Sequence, residues 1–324
     1  MNFPAKSSQE TLSHFAHAAI EKHLRKAINH EEDVLHGQDA EALHQMRVGL
    51  RRLRTAIQVF GFAVNLPKAA SEKRIRKFAQ VLGTVRDADV LNLELASHSD
   101  LPEAEQKVLK RALKKLHHQR SRDFHQLKKT LKSNPYRAFK RDLEDWLVLP
   151  QYEAIAQMPI QEVLPDILLP LISGILLHPA WLTGVKFQSH ETVFSPITLD
   201  FIQEQLKHGE QLHDLRKKMK RVRYQTELFT DFYDEAYIEQ AKEFQQIQAV
   251  LGQIQDSVIL QNFLDKKLDQ SIEKCCPIFS NRLEQQRTIA WKEFRSLQEK
   301  YLDSEFRAQL RRRFLSNSNA DERT

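Results

Sequence analysis

One histidine and three arginines recur at short, regular intervals in the segment LHQMRVGLRRLR, residues 43–54. In an α-helix, at about 100° per residue, they fall within roughly 80° of arc on one stripe. Apolar residues from Leu43 to Phe60 form a second stripe directly beside it, so the cations flank the predicted core. Cations beside a core lose hydration, and this placement is costly without a partner. The stripe consists of His44, Arg47, Arg51 and Arg54.

The same pattern recurs later in the chain as LHDLRKKMKRVR, which begins at Leu212. His44 and His213 are 169 residues apart, and VLGTVRDADVL at 81–91 recurs as VLGQIQDSVIL at 250–260 with the same separation. Two separate segments that share one offset indicate an internal duplication, with about four helices in each copy. The second stripe consists of His213, Arg216, Lys220 and Arg223.

Stripes of this kind have the chemistry to bind a linear polyanion. Two such helices related by a pseudo-twofold axis would bring their stripes towards each other, with successive cations about 5 Å apart along each axis. Arginine binds phosphate oxygens with a planar fork, lysine acts as a point charge, and histidine gains charge below about pH 6.5. The alternative is a solvated or salt-bridged face. Carboxylates that either pair with the arginines or orient them are Asp87, Asp256 and Glu227.

Further residues, most of them cations, are weaker candidates for the same track. Beside the stripes, the candidates are Arg52, Arg221 and Tyr224. Elsewhere in the chain a solvated charge is at least as good an interpretation for Arg74, Lys77, Arg86, Arg120, Lys128 and Arg287.

Glycines inside the helical pattern predict close contacts. Gly83 and Gly252 match in the two copies, although glycine in a helix costs about 1 kcal/mol relative to alanine. They are expected to allow close helix contact or room for a neighbouring arginine. Gly49 is predicted to face outward, because the second copy has Lys218 at that position.

The amino-acid composition predicts an all-α chain, and its two adjacent cysteines suit a reducing compartment. The 324 residues include only eight glycines and are rich in helix-forming types. The formal net charge of +6 is moderate and favours an anionic partner. Two adjacent cysteines, Cys275 and Cys276, and a beginning without a signal-peptide pattern suit a cytoplasmic location.

Prolines and glycines divide the chain into segments. We predict repeat 1 over about 8–147, a proline-rich connector over about 148–197, repeat 2 over about 198–314 and a disordered tail at 315–324. The helices predicted in repeat 1 span about 9–35, 38–60, 69–97, 102–132 and 135–147. The connector segment 163–182 is long enough to span a bilayer, but Asp166, His178 and its prolines favour a buried, proline-bounded helix.

The two stripe motifs together with the LGxxRDADVL stretch at 82–91 resemble the CHAD domain, the conserved histidine α-helical domain. The resemblance runs from about residue 8 to 314. It implies two pseudo-symmetric four-helix bundles with a basic central cavity, where family members bind inorganic polyphosphate and associate with polyphosphate granules. By motif, the eight stripe residues face the ligand. Gln255 replaces Arg86 in the second copy, so the two faces of the cavity are expected to contribute unequally.

A catalytic function is disfavoured. EAEQK at 103–107 matches the ExExK signature of the triphosphate-tunnel domain that many family members carry, but Pro102 before it predicts a helix. Glu103 and Glu105 then diverge by about 200° and are interpreted as ordinary first-turn acids. We find no room for an attached tunnel domain and expect a stand-alone CHAD protein. Arginines stand where a second metal ligand would follow His44 or His213, so no metal, cofactor or catalytic residue is predicted.

The sequence favours a non-catalytic polyphosphate binder that targets or scaffolds granules, with granule-associated proteins as further candidate partners and no membrane partner. The alternative is a helical RNA- or DNA-binding protein that uses the same stripes. Aromatic residues other than Tyr224 do not interleave with the cations, which disfavours single-stranded nucleic acid.

Overall fold

The computed structural model describes residues 10–37, 39–188, 191–207 and 209–315. These residues form two compact units. The first comprises the described parts of 10–102 and 109–164, and the second those of 103–108 and 165–315. Helices dominate both units, as predicted. Apart from Leu315, the predicted tail lies outside the described residues.

The helices of the first unit follow the predicted positions closely. The exception is the first helix, which is two helices separated at Asn29 and His30; Gly37 ends the second with φ +81°, a conformation that favours glycine. Short 3-10 helices span Lys68–Ala70 and Ala154–Gln157. The α-helices are α1 (Leu12–Ile28), α2 (Glu31–His36), α3 (Ala40–Phe60), α4 (Glu72–Ser97), α5 (Glu103–Leu131), whose first turn belongs to the second unit, and α6 (Asn134–Val148).

Close contact between α1 and α3 corrects the prediction for Gly49. This glycine is buried, and a Cβ built on it would lie 2.6 Å from the backbone N of Ala27. The outward orientation inferred from Lys218 is therefore wrong for the first unit, where the missing side chain lets α1 approach α3. Lys218 itself is exposed.

The second unit holds the remaining helices and one hairpin. Its core contains Trp181 stacked on Tyr301, with ring centroids 4.6 Å apart. Short 3-10 helices span Pro179–Leu182 and Thr230–Phe232. Its other elements are α7 (Ile160–Leu176), which begins in the first unit, β1 (Val185–Gln188), β2 (Glu191–Phe194), α8 (Leu199–Lys207), α9 (Glu210–Thr226), α10 (Glu235–Leu268), α11 (Ile272–Cys275), α12 (Pro277–Leu302) and α13 (Ser304–Leu315).

The β1–β2 hairpin was not predicted. The two strands pair antiparallel, with Val185 opposite Phe194 and Gln188 opposite Glu191. The segment VKFQ alternates apolar and polar residues, which is the pattern of a strand. Four residues are short for a confident strand assignment, and the connector was interpreted from its prolines instead.

The apolar helix α7 contains its prolines rather than ending at them. Pro165 and Pro170 both lie inside it, which corrects the prediction of a proline-bounded helix. Among the described residues, Ile160–Leu182 alone has the length and hydropathy to cross a membrane, and 39% of its most apolar window is buried. A core helix passes the same test. Leu168, Ile172 and Ile175 are all buried and lie on one face, which is typical of a core helix.

Glu105 caps a helix other than its own. Its two carboxylate oxygens accept hydrogen bonds from the backbone N–H groups of Ile278 and Phe279, each at 3.0 Å. These donors lie in the first turn of α12 after Pro277 and have no partner within that helix. Glu105 lies in the first turn of α5, as predicted, but it is buried and also caps α12, whereas Glu103 is exposed and pairs with Lys107 at 2.7 Å.

Candidate functional site

The first stripe lies along α3 at the border of the core. The helix begins at Asp39, whose side chain accepts a hydrogen bond from the Glu41 N–H at 2.7 Å. The neighbouring apolar stripe, which includes Leu43, Met46 and Leu50, is buried. Because the cations flank this apolar stripe, their stems are partly covered, and the atoms His44 Nδ1 and Arg51 Nε are buried. The side chains that are partly buried in this way are His44, Arg47, Arg51 and Arg54.

Arg47 lies over Gly83 of α4 and faces Asp87. Its Nε is 3.7 Å from the point where a Cβ of Gly83 would lie, which is ordinary van der Waals contact. Its Nη2 is 3.8 Å from Asp87 Oδ1, and 30% of the arginine side chain is exposed. At that distance the pair is ionic and lacks a hydrogen bond, so the aspartate orients the guanidinium only loosely.

The second unit repeats this arrangement between α9 and α10. Arg216 lies over Gly252, with Nη2 3.3 Å from the position of an added Cβ. Nη1 and Nη2 lie 3.1 and 3.2 Å from the two carboxylate oxygens of Asp256, a bidentate pair. In both units the matched glycine therefore provides room for the stripe arginine, which is the second of the two roles predicted for it.

The histidines of the two stripes have different surroundings. His44 Nδ1 is buried and has no hydrogen-bond partner among the described residues. Burial lowers the pKa of His44, and the Arg86 guanidinium lowers it further against an opposing effect of Glu41. His213 is exposed, and its Nδ1 lies 2.9 Å from Gln255 Oε1.

Gln255 also binds the second stripe arginine. Its Oε1 accepts a hydrogen bond from Arg216 Nη1 at 3.2 Å as well as contacting His213. Arg86 holds the matching position of the first unit, as a cation rather than an acceptor. The first stripe therefore has more uncompensated positive charge around its histidine than the second, in the direction expected from the Arg86–Gln255 difference.

Each stripe ends in an arginine held by a glutamate. Arg54 Nε donates to Glu72 at the start of α4. Arg223 Nε donates at 2.6 Å to Glu227, one turn further along the chain. The partner of Arg223 was among the predicted carboxylates. Glu72 was missed, because it lies on another helix and only the packing of α3 on α4 brings it to Arg54.

The central cations Arg51 and Lys220 occupy matching positions on α3 and α9, and both are partly buried. Beside them, Arg52 and Tyr224 are partly buried and Arg221 is exposed. Position and burial thus agree for Arg51 and Lys220, although one is an arginine and the other a lysine.

Comparison with known proteins identifies the family. A model of the CHAD domain family matches residues 18–265. The chain belongs to the CHAD domain family. This confirms the resemblance inferred from the stripe motifs.

Two solved structures share the fold of this CHAD protein. The crystal structure of the CHAD domain from the plant Ricinus communis superposes with a TM-score of 0.58 and 22% identity, covering 98% of this chain and 97% of that one. PptA from Streptomyces chartreusis gives a TM-score of 0.51 and 14% identity, covering 87% and 100%. At these identities the likeness concerns the fold alone. A comparison with curated proteins found no significant match.

The weaker candidate cations of this CHAD protein do not form one surface. Arg74 and Lys77 are exposed on the first turns of α4, away from the stripe contacts described above. Arg120 donates a hydrogen bond to Asp89 of α4. The Arg120 guanidinium and the Lys128 ammonium group lie 5.5 Å and 4.8 Å from the centre of the Phe124 ring. We therefore add only Arg86 to the first stripe.

Arg287 is an internal residue of the second unit. It is 5% exposed, and its guanidinium donates to Ser257 and Gln261 at 3.0 Å each. These contacts hold α12 against α10. Because its side chain is covered, we leave Arg287 out of the proposed ligand-binding set.

Open space lies beside the second stripe. A groove of about 700 Å³ is lined by His213, Gln255 and Lys217, by the acids Glu210 and Asp214, and by apolar residues such as Leu212 and Ile254. Acids therefore offset part of the positive charge in this groove. Among the described residues, no group of three or more His, Cys, Asp and Glu side chains comes together as a set of metal ligands.

Proposed function

We propose that this CHAD protein binds inorganic polyphosphate through the two basic stripes, without catalysing a reaction. The observation that carries the proposal is the paired arrangement of Arg47 and Arg216. Each guanidinium lies over a glycine of the next long helix and faces an aspartate four residues beyond it. The bidentate pair limits the conformations of Arg216 before a ligand arrives and lowers the entropic cost of binding, whereas Asp87 positions Arg47 more loosely.

The electrostatics of the first stripe support an anionic ligand. Burial is the largest cause of the lowered pKa of His44; Arg86, Arg51 and Arg47 lower this pKa further and Glu41 raises it, so three arginines act on one side chain of the stripe. A polyanion relieves this repulsion. Arg47 and Arg54 lie seven residues apart, about 10 Å along the helix axis, which exceeds the reach of a single phosphate group and suits a ligand with repeated charges.

The role without catalysis is a separate part of the proposal. Arginine, lysine and histidine donors alone are sufficient to bind phosphate oxygens. Incubation of the full chain with long polyphosphate and divalent metal ions, followed by electrophoresis of the polymer, is expected to leave its length unchanged. Shortening of the polymer would contradict the non-catalytic assignment and leave the binding proposal to its own test.

Calorimetric titration with long-chain polyphosphate at two salt concentrations tests the binding. We expect affinity to fall steeply with salt, because bound cations release the counterions of the polymer. Double-stranded DNA and tRNA serve as competitors. Equal or tighter binding of either nucleic acid would favour the alternative of a helical nucleic-acid binder.

Substitution of the central cation of each stripe tests whether the stripes bind the polymer. Arg51→Ala combined with Lys220→Ala is expected to reduce polyphosphate affinity by on the order of tenfold or more, through loss of two charge-assisted contacts. The control is Lys68→Ala combined with Lys292→Ala, two exposed cations outside the stripes. Equal affinity of the two double variants would contradict the proposal.

We propose a cytoplasmic location at polyphosphate granules for the same protein. A fluorescent fusion of the full chain is expected to co-localise with stained granules and to become diffuse in the Arg51→Ala, Lys220→Ala variant. A diffuse signal from the unaltered chain in granule-containing cells would exclude the granule role.

A further inference from the structure

Helix α5 is strongly basic. Over Glu103–Leu131 it has nine lysines and arginines and three acids, of which Glu103 and Glu105 lie in the first turn and only Asp123 lies further along the helix. The Asp123 carboxylate accepts hydrogen bonds from Gln119 at 3.1 and 3.2 Å. Most of the cations on this helix therefore have no acid on their own helix to neutralise them.

Four of these lysines and arginines form a straight, exposed stripe together with two histidines, which we name the α5 stripe. Their spacing is three, four, four, three and four residues, so they fall within roughly 80° of arc and extend over about 27 Å. Every one is exposed. The stripe consists of Arg111, Lys114, His118, Arg122, His125 and Lys129.

The α5 stripe is separate from the stripe on α3. Arg47 of α3 faces Asp87, whereas Arg120 of α5 donates to Asp89. These two aspartates lie about 200° apart around α4, so α3 and α5 approach α4 from different sides. Arg120 marks the side of α5 that faces α4, and the α5 stripe runs along the opposite, solvent-exposed side.

This distribution of charge is unfavourable for the isolated helix. Within the α5 stripe Arg111 and Lys114 repel each other one turn apart, Arg122 and Lys129 are further cations on the same line, and no acid interrupts the stripe. Elsewhere on the surface, cations commonly pair with an acid one turn away, as in Lys207–Glu204 and Lys242–Glu239. An aligned, unneutralised row therefore indicates an external anionic partner.

The surroundings of the α5 stripe narrow the class of that partner. Along α5, all of which the structure describes, no large apolar side chain is exposed that would anchor the helix in a membrane. The one aromatic residue, Phe124, is partly buried beneath Arg120 and Lys128 and offers no platform for base stacking. A linear polymer without bases or acyl chains fits this surface best.

We propose that the α5 stripe is a second contact surface for polyphosphate, so that one protein molecule holds two polymer segments at once. This inference rests on the proposed function. Binding at two separate surfaces cross-links polymer chains. Cross-linking is the property that a scaffold of a polyphosphate granule requires, and a single binding track would not supply it.

The test uses the full chain and beads coated with long-chain polyphosphate. After unbound protein is washed away, fluorescently labelled polyphosphate is added and its capture is measured. The α5 variant combines Arg111→Gln, Lys114→Gln and Lys129→Gln. The matched control, Lys68→Gln with Arg137→Gln and Lys292→Gln, removes the same charge from exposed positions on three other elements.

We expect the unaltered chain and the control to bind the beads and capture labelled polymer. The α5 variant is expected to bind the beads as well, through the stripes on α3 and α9, but to capture roughly tenfold less labelled polymer. Equal capture by the α5 variant and the control, or no capture by any bead-bound protein, would overturn the second surface. Binding of duplex RNA to each protein is measured as well. If the α5 variant loses RNA binding while its capture of labelled polyphosphate is unchanged, the second polyphosphate surface is also overturned, in favour of a nucleic-acid surface.

Failure of the proposed function gives a different result. In that case the α5 variant does not bind the coated beads, because the stripes on α3 and α9 provide no contact with the polymer once the α5 stripe is removed. Circular dichroism of the α5 variant checks its fold, which we expect to be at least as stable as that of the control, because repulsion along the helix is reduced.

Discussion

At the scale of single residues, the two copies of the motif differ most at Arg86 and Gln255. Gln255 accepts hydrogen bonds and satisfies His213 and Arg216, whereas Arg86 adds positive charge beside His44. The polar atoms of the second stripe thus have an internal neutral partner. The first stripe retains a buried histidine nitrogen, His44 Nδ1, that lacks a partner in the described part of the chain.

This difference predicts a pH dependence of binding through His44. Its pKa is lowered in the free protein, mainly by burial and by Arg86, and a bound polyanion favours the protonated form and raises that pKa. Binding therefore takes up a proton, and affinity should rise as pH falls between the two pKa values. Arg86→Gln should raise the pKa of His44 in the free protein, measurable by NMR titration of the ring. If the pKa of His44 is the same in Arg86→Gln as in the unaltered chain, Arg86 is not a cause of the lowered pKa.

At the scale of elements, glycines and cross-helix caps determine how the helices approach one another. Gly49 admits the backbone of α1, whereas Gly83 lies beside the flexible end of an arginine. Glu105, in the first turn of α5, satisfies backbone donors of α12. These contacts join segments that are far apart in the chain.

The two glycines of the first unit should respond to alanine with opposite signs. Gly49→Ala places a Cβ 2.6 Å from backbone N of Ala27, and we expect it to lower the free energy of unfolding by about 1–3 kcal/mol through overpacking. In Gly83→Ala the new Cβ meets Arg47 at an ordinary 3.7 Å, so better helix propensity should raise stability by up to about 1 kcal/mol. Urea unfolding followed by circular dichroism measures both. The same sign for both variants would contradict this packing.

The cap on α12 gives a second stability prediction. Glu105→Ala leaves the N–H groups of Ile278 and Phe279 without their acceptor, at an expected cost of about 1–3 kcal/mol. The control is Glu103→Ala, which removes only an exposed ion pair with Lys107 and should change stability by about 0.5 kcal/mol or less. Thermal unfolding of the two variants makes the comparison, and equal melting temperatures would count against the cap.

At the scale of the whole molecule, each compact unit contains one stripe helix packed on one long helix. In the first unit this pair is α3 and α4, and in the second it is α9 and α10. The fold agrees with that of the Ricinus communis CHAD domain. The internal duplication and the basic central cavity stay predictions.

For the whole molecule, we predict that the apolar helix α7 does not insert into a membrane. Because one of its faces is buried and the Trp181 indole N–H that follows it donates to Ile175 O at 2.7 Å, we expect α7 to stay within the protein. The full chain should remain in the supernatant when uncharged phosphatidylcholine vesicles are sedimented. Co-sedimentation with a change in Trp fluorescence would instead indicate membrane insertion.

The helical class, most helix boundaries of the first unit and the two basic stripes could be predicted from the sequence, and the stripe motifs pointed to the family. These features depend on local spacing: residues three or four apart share a helix face whatever the rest of the chain does. Asp87 and Asp256 were also found from the sequence, because the repeated segments place them four residues after matched glycines.

Only the tertiary structure decided which groups meet. It brought Glu72 to Arg54, buried Arg287 against α10, turned Gly49 towards α1 and used Glu105 to cap α12. Each of these contacts joins residues on different helices, and its partner depends on how side chains of both helices pack. Periodicity identifies the face of a helix that is buried, but the identity of the neighbour on that face is fixed by packing in three dimensions.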